Sequence, residues 1–158
     1  MESLPAFVDT LLPSQAGDVL ELDELWSFVG GKACQLWLWV ALCRRTRQIV
    51  AWTLGDRSLQ SACDLRADLP RGYRRCATRS DFWDAYATAF PARTHRSCGK
   101  EAGETCHVER WFCTLRQRVS RLVRKTLSFS KCAENHLDAI HCFITTYNLQ
   151  IKQTATLN

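Results

Sequence analysis

Three carboxylates far apart in the chain, Asp23, Asp81 and Glu109, occupy positions from which acidic groups can do chemistry. Asp23 lies within VLELDELWSFV, residues 19–29, Asp81 ends YRRCATRSD, and Glu109 opens a long basic segment. Carboxylates gathered at one point repel one another, and burial strips away the water that would soften the repulsion. A hard divalent cation relieves it, and Mg²⁺ takes few carboxylates, keeping its other positions for water and phosphate oxygens. Two such ions about 4 Å apart suit an in-line phosphoryl displacement, activating the nucleophile and stabilising the leaving oxygen. The same residues have ordinary roles, however: Asp near a strand end makes turns, and Glu at a helix start complements the helix dipole. Glu21 and Glu24 fit the first strand as well as Asp23 does, so the pattern does not choose among them.

The elements that must position these side chains are legible from periodicity. In VLELDELWSFV, alternation sends Leu20, Leu22 and Trp26 to one face and Glu21, Asp23 and Leu25 to the other. GGK at 30–32 is a turn, and CQLWLWVALCRR and QIVAWTLGD follow as strands, predicting an antiparallel meander of three. SLQSACDLRADL, residues 58–69, has helical spacing with Ser58 as its cap. YRRCATRSD is expected as a fourth strand, FWDAYATAF as a short helix stopped by Pro91, and RTHRSCG as a fifth strand. A long helix is expected from His107 to Lys125, with Val108, Phe112, Leu115, Val119 and Leu122 as its apolar stripe. Glu109 and Arg116 flank that stripe nearly eclipsed, which places Glu109 at the core-proximal rim. A last helix covers about 133–147. Three strands, helix, strand, helix, strand, then helices is the element order of a ribonuclease H-like α/β fold. In that order the first and fourth strands can lie side by side, bringing Asp23 and Asp81 together.

Composition bounds the function classes. A chain of 158 residues, 46% hydrophobic with six Trp, suits one domain with a proper core. The longest apolar run, QLWLWVALC, is far too short to span a membrane, and the first residues make a poor signal peptide, so a cytoplasmic location is expected. Nine cysteines include no C-x-x-C pair, and Cys98, Cys106, His107 and Cys113 lack a recognised zinc spacing, so buried free thiols are expected. The formal charge of +5 is uneven: from Glu109 to Lys131 five Arg and two Lys face one acid, and the rest of the chain is close to neutral. One basic segment points to a polyanion partner.

Four separated motifs, LELDELWSFVGGK, SDFWDAY, GKEAGETCHVERW and LRQRVSRLVRKTLSFSK, resemble in the same order the catalytic part of the transposase of insertion sequence one, the product of a bacterial mobile element's second reading frame. The resemblance runs from about Val19 to Tyr147. It implies a ribonuclease H-like DDE catalytic domain over residues 19–150, a lead-in over 1–18 and a tail over 151–158. Matched motif by motif, it implies that Asp23, Asp81 and Glu109 are catalytic and bind Mg²⁺, with Mn²⁺ as a substitute. Arg116 matches a basic residue two helical turns beyond the glutamate. Arg110, Arg118, Arg121, Arg124 and Lys125 lie off the apolar stripe as candidates for DNA phosphates, and His107 either orients the site or is an ordinary histidine.

The implied activity is metal-dependent cleavage of DNA at the element's ends followed by strand transfer. The implied partners are element-end and target DNA, further copies of the chain, and a separate DNA-reading polypeptide from an upstream frame. In the family, Asn residues follow the HVERW motif; here Phe112 and Cys113 stand there. A non-catalytic DNA-binding remnant or regulator, keeping the fold without turnover, is the alternative, and a structure-specific nuclease of the same fold is a third.

Overall fold

The computed structural model describes residues 4–123 and 127–157. Its centre is a mixed five-stranded sheet in the order β3-β2-β1-β4-β5. β1 (Val19–Phe28), β2 (Gln35–Cys43) and β3 (Ile49–Gly55) form the expected antiparallel meander. β4 (Ala77–Ser80) pairs with β1 in parallel, and β5 (His95–Ser97) pairs with β4 in parallel.

Two cores sit on the two faces of this sheet. Leu20 and Leu22 of β1 join Trp39 and Ala41 of β2 against α1 (Leu59–Ala67) and α2 (Asp84–Ala89). Leu25 joins Leu38, Val40 and Leu42 against α3 (Cys106–Arg118) and α4 (Ala133–Thr156). The unbroken apolar run of β2 follows from this burial, since a central strand covered on both faces has no polar side to show. Ser58 caps α1 as expected, its hydroxyl oxygen accepting from Ser61 N–H at 3.4 Å. Asn148 ties α4 to the sheet edge: its Oδ1 accepts from Ile49 N–H at 3.0 Å and its Nδ2 donates to Ile49 O at 2.8 Å. Both amide atoms are thereby satisfied in a buried place.

Two helices and one strand depart from expectation. α3 stops at Arg118 instead of running on to Lys125. Val119 is extended (φ −107°, ψ 93°) and a 3₁₀ turn, Ser120–Leu122, follows. Val119, Ser120 and Val123 are weak helix formers, and the break still lets Val119 and Leu122 reach the core. The fourth strand is shorter than expected because residues 70–76 form tight turns, with Tyr73 N–H on Pro70 O and Cys76 N–H on Tyr73 O. The last helix runs past Tyr147 to Thr156. Among the described residues no helix is long and apolar enough to cross a membrane.

Candidate active site

β1 carries three carboxylates, and the fold treats each differently. Glu21 is fully buried, its side chain 0% exposed. Arg44 Nε donates to its Oε1 at 2.8 Å, and the His107 ring Nδ1 lies 2.6 Å from the same oxygen. Its Oε2 accepts from the N–H groups of His107 (2.9 Å) and Val108 (3.1 Å), the second and third residues of α3. Glu21 therefore caps α3 from another element, satisfying N–H groups that the helix cannot satisfy itself and meeting the positive end of its dipole. The Thr105 side chain, at the helix's own cap position, makes no cap bond.

Glu24 points to the opposite face and is paired there. Arg57 donates to its Oε1 from Nε (3.0 Å) and Nη2 (2.8 Å), and Tyr86 OH donates to Oε2 at 2.7 Å. The guanidinium is held between two indole rings, 4.8 Å from the centroid of Trp37 and 4.4 Å from that of Trp83. Burial, with Glu24, Asp23 and Asp81 nearby, holds the Tyr86 phenol well above its usual range.

Asp23, between these two, has no cationic partner among the described residues. Among the described residues it accepts one hydrogen bond, from Glu24 N–H at 2.9 Å. Its carboxyl is pushed up to about 7, first by burial, then by the charge of Glu24, and further by Asp81 and Glu109, against the pull of the Glu24 N–H. The strand register explains Asp81. β1 and β4 pair Leu20 with Thr78 and Glu21 with Arg79, and continuing two residues brings Asp23 level with Asp81. Asp81 is braced there by Trp83 N–H, which donates to its Oδ1 at 3.0 Å in a turn leading into α2. Glu109 comes from the first turn of α3, one turn beyond Thr105, whose hydroxyl donates to Glu109 Oε1 at 3.1 Å. It is solvent-exposed rather than set at a buried rim, yet its charge reaches Asp23.

The fold thus brings Asp23, Asp81 and Glu109 into one electrostatic neighbourhood. Among the described residues, no three His, Cys, Asp or Glu side chains stand close enough to hold a metal ion, so the carboxylates are not drawn into a finished ligand set. All nine cysteines are free thiols, and five of them (Cys34, Cys106, Cys113, Cys132 and Cys142) are exposed, where buried thiols were expected.

The basic candidates do not form one helical face. Arg110 and Arg118 are exposed on α3, and Arg116 is half-buried on it. Arg121 sits beyond the break at Val119, in the 3₁₀ turn, lining a hollow with Phe129 and Lys131. Arg124 and Lys125 lie outside the described residues.

Sequence reasoning missed Glu21 and Arg44 as the clamp on α3. The signal was a carboxylate on an apolar strand needing compensation; its partners lie in the turn after β2, 23 residues on, and at the start of α3, 86 residues away, where no local pattern points.

Comparison with known proteins gives the chain its family. A model of the IS1 transposase family matches residues 18–150, spanning all five strands and most of α4. The insertion element iso-IS1n protein InsB of Shigella dysenteriae is 40% identical over 126 residues, covering 80% of this chain and 93% of its own. The IS1 protein InsB of Shigella flexneri is 32% identical over 130 residues, covering 82% of this chain and 96% of its own. An IS1 protein InsB of Escherichia coli K12 matches at 32% over the same share of this chain and 75% of its own. The match includes the strand that carries Asp23, the turn that braces Asp81 and the helix that presents Glu109, and on that footing the chain belongs to the IS1 transposase family.

Proposed function

We propose that this chain is the catalytic subunit of a DDE transposase, built on a ribonuclease H-like core, that cuts DNA at the ends of an insertion element and joins it to a target. One observation carries the reading. Of the three carboxylates on β1, Glu21 and Glu24 are matched by arginines, whereas Asp23 is left against two further acids. The order β3-β2-β1-β4-β5, with β1 and β4 parallel neighbours, supports the core assignment.

The donor chemistry fits a hard divalent cation. Carboxylate oxygens are the ligands Mg²⁺ prefers, and a carboxyl whose proton is held first by burial and then by acidic neighbours yields that proton to an incoming ion. Asp23, Asp81 and Glu109 would hold Mg²⁺, with Mn²⁺ as a substitute. When bound, the ions polarise the nucleophile and neutralise charge on the leaving oxygen. In the first step water attacks the phosphodiester in line, and the element's 3′-oxygen leaves as a hydroxyl. In the second, that hydroxyl attacks a target phosphodiester, forming the new P–O bond and expelling the target's 3′-oxygen.

The chain's own part is positioning. Glu21 holds the start of α3 so that Glu109 is presented toward Asp23, and Trp83 N–H fixes the rotamer of Asp81. Arg110, Arg116, Arg118 and Arg121, with Arg124 and Lys125, contact phosphates, and these contacts place DNA without reading its sequence. Pairing two ends calls for further copies of the chain, and a DNA-reading polypeptide from an upstream frame supplies recognition of the ends.

A second reading, a DNA-binding member without turnover, is favoured by one feature. Phe112 stands where the family places an amide, and it is buried against Trp111 in the core.

A cleavage and joining assay, with element-end DNA, Mg²⁺ and the upstream polypeptide supplied in trans, separates the two. The catalytic reading expects nicking and strand transfer, both lost by at least about a thousandfold in Asp23→Asn, Asp81→Asn and Glu109→Gln. Salt-dependent DNA binding without nicking supports the second reading, and unchanged cleavage by one variant removes that residue from the triad.

A further inference from the structure

On paper the residues outside the 109–131 segment are close to neutral, but folding gathers a second set of arginines. A cleft of about 760 Å³ lies against the N-terminal ends of the three parallel strands β1, β4 and β5. Its lining includes Gln15 and Asp18 from the lead-in to β1, Arg75 and Arg79 at β4, and Arg93 and Arg96 at β5. Its one lining carboxylate, Asp18, is already taken, accepting from Arg45 at 2.6 and 2.9 Å and from Gln15 N–H at 2.8 Å. That ion pair holds one wall of the cleft in place and leaves Asp18 little charge to offer.

The opposite wall is the basic one. The β4–β5 register sets Arg79 directly beside Arg96, a like-charge cross-strand pair that destabilises a sheet unless something answers it. Glu104 answers part of it, 3.7 Å from Arg79 Nε, but it is also engaged by Arg44 at 2.8 Å. Arg75, Arg93 and Arg96 make no side-chain hydrogen bond or ion pair among the described residues. Charges on an edge strand such as β5 also discourage strand-to-strand aggregation. That accounts for Arg96 alone, since Arg75 and Arg93 lie outside the strands.

We propose that this cleft binds the sugar–phosphate backbone of a DNA segment separate from the one held by the basic residues of α3 and the turn after it. The inference rests on the DNA-transposase reading above. Uncommitted guanidinium groups facing an open cleft recognise phosphate oxygens, with two-pronged geometry. Among the described lining residues the aromatic ring is that of His95, which is held by the Thr78 and Ser80 hydroxyls and packed on Phe90, so the contact reads backbone rather than sequence. α3 has 13 residues and spans about 20 Å. The cleft lies toward the start of α3, where Arg44 and Arg79 share Glu104, and Arg118 lies at its far end, so the two basic regions can hold different stretches of DNA. A transposase must bring an element end and a target to one place, and two separate backbone sites serve that need.

The test measures binding of a labelled short duplex to the full chain across a salt series, before and after Arg75→Ala, Arg93→Ala and Arg96→Ala are combined. Each phosphate contact contributes about 0.9 to the slope of log affinity against log salt, so the triple variant should lower that slope by about two to three. The loss should be equal for unrelated duplex sequences, and the corresponding Arg→Lys triple should recover most of it. An unchanged slope in the alanine variant, with the wild-type chain binding DNA normally, overturns the proposal and leaves the transposase reading standing. A wild-type chain with no salt-dependent DNA binding overturns both. If the triple variant does not fold, Arg93→Glu, on an exposed turn, carries the same test.

Discussion

Two places on one face of β1, the covered end under the start of α3 and the edge beside β4, carry carboxylates two residues apart and treat them oppositely. At the covered end Glu21 meets a guanidinium, an imidazole and two backbone N–H groups. At the edge Asp23 meets Asp81, Glu109 and a single N–H. Both are carboxylates on one strand and one face, so the difference lies in what the rest of the fold delivers to each position. A buried charge that is matched holds structure together, and one left unmatched costs stability in the absence of a cation. The two positions should therefore respond with opposite sign when their charge is removed.

The largest effect belongs to Glu21. Glu21→Ala leaves Arg44 without its buried partner and two N–H groups of α3 without an acceptor, a loss of about 3–5 kcal/mol for breaking a buried pair. Urea unfolding measures it. Cleavage should fall as well, because the turn that presents Glu109 loses its anchor, and Glu21→Gln should recover part of the stability through the remaining carbonyl oxygen. A variant as stable as wild type would make the clamp incidental and cancel the contrast.

Asp23→Asn should do the reverse and stabilise the metal-free chain. Its carboxyl titrates at about 7 in the folded protein against 3.8 for the ordinary group. Below about pH 4 both folded and unfolded chains carry the proton and there is no penalty. Between about pH 4 and 7 the unfolded chain ionises while the folded one does not, so wild-type stability falls with rising pH and levels off above about 7. The amide removes that penalty, a gain of order 2–4 kcal/mol at pH 8 and near zero at pH 4. Thermal unfolding at the two pH values reads it. Mg²⁺ should raise the melting temperature of the wild type at pH 8 and have less effect on the variant.

This contrast also marks where sequence reading stops. The strands were legible because alternation on β1 and the unbroken apolar run of β2 report directly which faces are covered. Ser58 was legible because a cap acts within one turn. The end of α3 was not, since Val119 fits a continuing apolar stripe as well as it fits the observed break. The different surroundings of Glu21, Asp23 and Glu24 were beyond pattern, because all three suit an exposed or a covered strand. They depend on Arg44, Arg57 and Tyr86, whose positions follow only from the packed fold. The arginine cleft was hidden for the same reason: Arg75 and Arg79 stand well before Arg93 and Arg96 in the chain, and parallel pairing of β4 with β5 brings them together.

The smallest effect tests whether the edge is one site. Asp81→Asn and Glu109→Gln each remove a charge and keep the oxygen that accepts from Trp83 N–H or from the Thr105 hydroxyl, so local geometry should persist. Either change should move the Asp23 midpoint down from about 7, Asp81→Asn more than Glu109→Gln. Neither should restore an ordinary carboxyl, because burial and the charge of Glu24 are the larger causes and both remain. Carbon-13 NMR titration of the Asp23 carboxyl follows the midpoint directly. A midpoint unmoved by Asp81→Asn would mean that the register across β1 and β4 does not bring the two charges together. The contrast with Glu21 would then reduce to a lone buried acid, with nothing for a cation to bridge.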